Sequence, residues 1–160
     1  MSLKENKNLD YIAAKTANKI VSKMCREEDL EKKYLEKTES LATKALGVLQ
    51  EQGVYALMIY LLKEKAEPAK AICEGLLTAL KDHLREFGFQ DVPVGYDEES
   101  RDILNFFGGG DGQDDRGVLA DIDKILLLRE FFGLVLIYLR YGAKALQKES
   151  EATGSQESES

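Results

Sequence analysis

The sequence predicts an all-α fold, a single-domain bundle of five or six helices. Apolar residues recur at three- and four-residue steps through most of the chain, and no stretch alternates strictly enough for a strand. Proline occurs only twice in 160 residues, so long helices can run unbroken. Hydrophobic content of 44% beside 32% charge suits one helix-rich domain with a real core.

The first helix is expected over Leu9 to Met24, with Ile12, Ala13, Ala17, Ile20, Val21 and Met24 on its apolar face. Asp29 is placed to cap a second helix that turns Tyr34, Leu35, Thr38, Leu41, Ala42, Ala45 and Leu49 inward. Gly47 and Gly53 bracket a bend, and "VYALMIYLL" from Val54 reads as a helix apolar nearly all round, hence central. Pro68 suits the first turn of the next helix, which carries Ile72, Leu76, Leu80, His83, Leu84 and Phe87 inward. Gly88 followed by Phe89 reads as a glycine cap with its trailing apolar contact.

"QDVPVGY" is a connection, and Asp97 can cap a short helix through Phe106. The last helix is expected from Val118 to Gln147, capped by Asp114 or Asp115, with Ile122, Ile125, Leu126, Phe132, Val135, Leu136, Leu139, Ala143 and Leu146 inward. The closing "KESEATGSQESES" is rich in Ser and Glu and lacks apolar anchors, which predicts disorder. The expected organisation is therefore a helical domain over 1–147 and a disordered acidic tail over 148–160.

The net charge of −7 is unevenly spread. Bases slightly outnumber acids before Ala45 and again from Gly117 to Lys148, whereas the middle and the tail are acidic. Such a balance excludes a general DNA-coating protein but allows a local basic face. Cys25 and Cys73 show no CxxC spacing, which fits a reducing, cytoplasmic setting. "MSLKENKNLD" contains no hydrophobic signal core. The apolar run Phe131 to Leu139 follows Arg129 and Glu130; a membrane span needs roughly 20 apolar residues, so a core helix and no membrane association are expected.

One segment, "NFFGGGDGQDDRGVL", has the look of a site. An EF-hand beginning at Asp111 would place Arg116 where the turn glycine belongs and Ile122 where the closing glutamate belongs. A calcium β-roll nonapeptide fits from Gly109 to Asp114 but then meets Arg116 in place of its apolar anchor, and it occurs once where stacked copies are needed. Phosphate-loop signatures are absent from the sequence. A flexible acidic linker is the expectation.

His83 is the sole histidine, expected as a half-buried core residue, and no Glu-x-x-His pair supplies di-iron ligands. Catalytic residues, metal ligands and cofactors are therefore expected to be absent. An all-α, magnesium-dependent nucleotide pyrophosphohydrolase would use acidic pairs such as Glu28-x-x-Glu31 and Glu99-x-x-Asp102. These stand about seventy residues apart in this sequence rather than on one helical hairpin, and both read as solvated first-turn acids.

The basic residues carry more information. Lys15, Lys19 and Lys23 recur every four residues, with Arg26 three further on, and form one stripe on the first helix. Arg140, Lys144 and Lys148 form a second on the last helix. Neither stripe shows interleaved aromatics for stacking bases. Rows of cations of this kind can follow a phosphate backbone, and they also serve solubility.

Four stretches taken together resemble a known family. They are "LEKKYLEKTESLATKALGVLQEQGVYALMIYLLKEKAE", "PAKAICEGLLTALKDHL", a Gly/Asp-containing connection, and the closing "LLLREFFGLVLIYLRYGAKAL". Over about residues 9–147 the chain resembles the small all-helical subunit of type III-B (Cmr-type) CRISPR effector complexes. The acidic middle and the glutamate-rich tail depart from that family's broadly basic surface. The resemblance implies a non-enzymatic structural subunit, stacking with itself and with the backbone subunits that hold the guide RNA. It further implies that Lys15, Lys19, Lys23, Arg26, Arg140 and Lys144 meet phosphates of guide and target RNA without reading sequence. A generic helical adaptor that binds protein alone is the alternative.

Overall fold

The computed structural model describes residues 8–24, 31–64, 67–94, 100–110 and 116–158. Among them are six α-helices, two 3-10 turns and no strand. The helices are α1 (Leu9–Met24), α2 (Glu31–Gln52), α3 (Val54–Lys63), α4 (Ala69–His83), α5 (Ser100–Gly108) and α6 (Ile122–Ser158). The all-α class expected from the sequence is the class observed. Among the described residues no helix is long and apolar enough to cross a membrane.

Five helices close a ring in which each touches the next: α1 lies beside α4, α4 beside α3, α3 beside α2, α2 beside α6, and α6 beside α1. The α2–α6 pair is antiparallel. Gln147 reaches Glu39 at one end, while Arg129 donates to the carbonyl of Gln50 at the other. Each helix turns a stripe inward: Ala13, Ala17 and Val21 from α1, Leu35, Ala42 and Leu49 from α2, Leu57 and Leu61 from α3, Ile72, Leu76 and Leu80 from α4, and Phe132, Leu136 and Leu139 from α6. Phe107 of α5 joins this core edge-on to Phe132. Two threonines are buried in it, and each satisfies its hydroxyl one turn back: Thr16 donates to the carbonyl of Ile12 at 2.8 Å and Thr38 to that of Tyr34 at 2.7 Å.

α1 has the bounds its periodicity predicts, and Asn8 caps it by accepting from the amide of Asp10. The expected break between α2 and α3 falls at Gly53 alone, where φ is +96°; Gly47 continues the helix. α3 is not central. Val54, Leu57, Met58 and Leu61 face the core, while Tyr55 and Ile59 point outward, because one flank of the helix has no neighbour in the ring. α4 stops at His83 and passes into a 3-10 turn, Arg85–Phe87, that Gly88 closes in the left-handed region. Phe89 is buried as expected, but Phe87 is exposed.

The last helix starts later and runs further than its pattern predicts. Gly117, at φ +72°, leads into a 3-10 turn over Val118–Ala120. Asp121 then caps α6 by accepting from the amide of Asp123 at 2.9 Å; this replaces Asp114 and Asp115, which lie outside the described residues. Ile122 and Leu126, expected inside, are 71% and 60% exposed, because the buried positions of α6 begin at Leu128. The helical backbone continues past Gln147 to Ser158. Extending an existing helix needs no new nucleus. Asp29 and Asp97, read as caps, and Cys25 lie outside the described residues.

The Gly/Asp-rich connection is pinched at its base. A Cβ placed on Gly117 would fall 2.3 Å from the amide nitrogen of Gly109 and 2.6 Å from the carbonyl oxygen of Phe107. The two ends of the connection therefore meet backbone to backbone, a contact that only glycine permits.

Candidate nucleic-acid interface

α1 carries Lys15 and Lys19 exposed and Lys23 half-buried. Positions four apart rise about 6 Å along a helix and stay on one side, so the three ammonium groups form a row. They flank the core-facing Ile20 and look toward α4. With Thr16, Thr78 and His83 they line a groove of about 130 Å³ between α1 and α4. The row is not purely cationic: Lys23 Nζ lies 3.2 Å from Glu74 Oε2. His83 is half-buried at the groove's end, on the helix flank where its sequence context placed it. Arg26 lies outside the described residues.

The groove is narrow because α1 and α4 approach closely. Gly75 sits against Ile20, and a methyl group there would collide with that side chain. Small residues at a helix crossing bring the axes together, which sets the lysine row beside the polar side of α4.

Arg140 and Lys144 occupy a different side of the bundle. On α6, Tyr138, Gly142 and Leu146 face α1, and two residues around a helix is about 200°, so Arg140 and Lys144 point away from α1. The Arg140 guanidinium lies 5.7 Å from the ring centre of Tyr141, and Lys144 is exposed. The five basic residues that are described therefore do not share one face: three form a row on α1, and two lie on the far flank of α6.

Two further grooves were not visible from the stripes. One, of about 660 Å³, runs between α1 and α6 and is lined by Tyr11, Ala14, Lys15, Asn18, Tyr138 and Ala145, among others. Tyr11 comes one turn before Lys15 in the stretch "YIAAK" and is 65% exposed; Tyr141, beside Arg140, is 61% exposed. Aromatics do accompany both basic stripes, contrary to the expectation from sequence: Tyr11 shares α1 with Lys15, and Tyr141 shares α6 with Arg140. The other groove lies between α2 and the start of α4, with Lys33, Lys37, Lys44 and Tyr60 opposed by Glu36, Glu64 and Glu67. Its charges balance, which leaves little net attraction for a phosphate.

No family model, curated protein or solved structure matches this chain.

Of the four acids weighed for magnesium chemistry, only the Asp102 side chain falls among the described residues. Asp102 is exposed in the first turn of α5, while Glu28 and Glu99 lie outside the described residues. Among the described residues no group of three His, Cys, Asp or Glu side chains is arranged to hold a metal ion. Burial pushes the Cys73 thiol up from the usual 9.0 to about 12, and the Glu74 carboxylate adds to the rise. Such a thiol is a poor nucleophile at neutral pH.

Proposed function

We propose that this chain is a non-catalytic structural subunit of an RNA-guided, type III-B (Cmr-type) CRISPR silencing complex, contacting guide and target RNA through basic helix faces. The observation that carries the reading is the row of Lys15, Lys19 and Lys23 along one side of α1. Steps of one helical turn suit successive phosphates of a nucleic-acid backbone, and such contacts position a strand without reading it. The resemblance of the four sequence stretches supplies the type of complex. Arg140 and Lys144 provide a second, separate contact for RNA or for a neighbouring acidic subunit.

The test is RNA binding followed by fluorescence anisotropy across a salt series, with the chain alone and then with the other subunits of a candidate complex. Lys15→Glu with Lys19→Glu should weaken RNA binding and flatten its salt dependence. Unchanged affinity and unchanged salt slope would refute the phosphate assignment. A gene position beside CRISPR repeats and effector genes would support the type of complex independently.

A second reading is a helical adaptor that binds only protein. The outward pair Ile122 and Leu126, one turn apart on the first turns of α6, favours it, since adjoining exposed apolar side chains mark protein-binding surfaces. Co-purification with a protein partner in a form indifferent to RNase and to the lysine reversals would favour this reading over the first.

A further inference from the structure

We infer that the groove between α1 and α6 holds unpaired bases of single-stranded RNA, while the adjoining lysine row follows the same strand's phosphates. This rests on the phosphate-contact reading above and adds a base-stacking platform to it.

Three features of the groove point to that ligand. Its lining includes four small residues, Ala14, Ala17, Gly142 and Ala145, beside the apolar Val21 and Leu146, so a flat ring can approach the helices closely between them. Its walls are aromatic: Tyr11 stands exposed on α1, and Tyr138 stands on α6 with its hydroxyl donating to the Asp10 carboxylate. Tyr141, three residues after Tyr138, stands exposed beside the groove rather than in it. The polar rim is Lys15 and Asn18, both exposed. An amide at the rim can pair with a base edge, and stacked bases with edge contacts are how single strands are held.

Charge fixes the direction of the strand. Asp10 lies beside Tyr138 and disfavours phosphate there, whereas Lys15 lines both this groove and the neighbouring α1–α4 groove, where Lys19 and Lys23 continue the row. Bases therefore lie on the α6 side of α1 and the backbone on its α4 side. A paired duplex cannot present its bases in this way. A volume of about 660 Å³ lies within the range of clefts that hold small organic ligands.

The experiment compares a single-stranded oligoadenylate carrying a fluorescent purine analogue with the blunt duplex of the same length, using the full chain. Tyr11 is exposed, so Tyr11→Ala should fold normally. It should lower single-strand affinity roughly tenfold, abolish quenching of the analogue, and leave duplex affinity and the salt slope unchanged. Tyr11→Phe should restore binding, and Ala145→Leu, which fills the groove, should mimic Tyr11→Ala. Loss of affinity on the duplex as well, or no loss on the single strand, would overturn the inference. If these variants release a protein subunit while RNA binding persists, the groove belongs to a protein and the inference is wrong. Sensitivity to Lys15→Glu with Lys19→Glu, but not to Tyr11→Ala, would remove the stacking platform and leave the phosphate reading standing. A wild-type chain and assembled complex that bind neither form of RNA would remove both.

Discussion

Gly75 of α4 and Ile20 of α1 touch so closely that a Cβ on the glycine would lie 2.6 Å from Ile20 Cγ1. Ile20 is buried and branched at Cβ, so it has little freedom to turn aside. Gly75→Ala should therefore cost about 1 kcal/mol net, the gain in helix propensity offsetting part of an overpacking cost of about 1–3 kcal/mol. The double variant with Ile20→Ala should be less destabilised than the sum of the two single variants, because the shortened side chain makes room for the new methyl group. Gly47 is the control: it lies within α2, and no atom comes within 4 Å of where a methyl carbon on it would sit. Gly47→Ala should stabilise by about 0.5–1 kcal/mol. Urea midpoints measure both, and equal shifts for the two glycines would refute the close-crossing account.

Gly117 is less replaceable. Its φ of +72° with ψ of 164° is a region that side chains avoid, and the obstruction around it is backbone rather than a movable side chain. Gly117→Ala should destabilise by at least about 2 kcal/mol. It should also raise proteolysis in the connection between α5 and α6. A variant with wild-type stability and wild-type cleavage would show that the two ends of the connection need not meet.

The Cys73 thiol gives a defined alkaline signature. Below about pH 9 it is neutral in both folded and unfolded chains and contributes no pH dependence. Between about pH 9 and the folded value of about 12, the unfolded chain releases the proton and the folded chain keeps it. Stability should therefore fall as pH rises, by up to about 1.4 kcal/mol per pH unit from this group. Comparing urea unfolding of wild type and Cys73→Ala from about pH 8 to about pH 10.5 isolates the effect. Parallel curves would mean that the thiol ionises as readily in the folded protein.

Glu74 tempers the lysine row. Its carboxylate forms an ion pair with Lys23 at 3.2 Å, and a partly exposed pair contributes little stability, about 0–1 kcal/mol. Glu74→Gln should leave the unfolding midpoint nearly unchanged while strengthening RNA binding and steepening its salt slope by up to about one counterion. Weaker RNA binding in that variant would argue that Glu74 orients Lys23 for its contact.

Periodicity on single helices carried most of the fold. The inward residues of α1, the glycine closure at Gly88 and the buried Phe89 are all legible in "LDYIAAKTANKIVSKM" and "HLREFGF". It failed where a pattern outlasts its neighbours. Ile122 and Leu126 keep the spacing of a buried face although α6 meets the core only from Leu128. "VYALMIYLL" looks apolar all round, yet Tyr55 and Ile59 have nothing to cover them in the ring. The lysine row was visible because one helix holds it. The tyrosine-walled groove was not, because it exists only when residues of α1 meet residues more than a hundred positions later.

That separation also governs the order in which the chain can be completed. α1 is synthesised well before its neighbours in the ring, α4 and α6. Until Leu139 and Ala143 have left the ribosome, the face made by Ala13, Ala17 and Val21 lacks its full cover. The nascent protein therefore carries an apolar face of α1 without its full cover while the rest of the ring is translated.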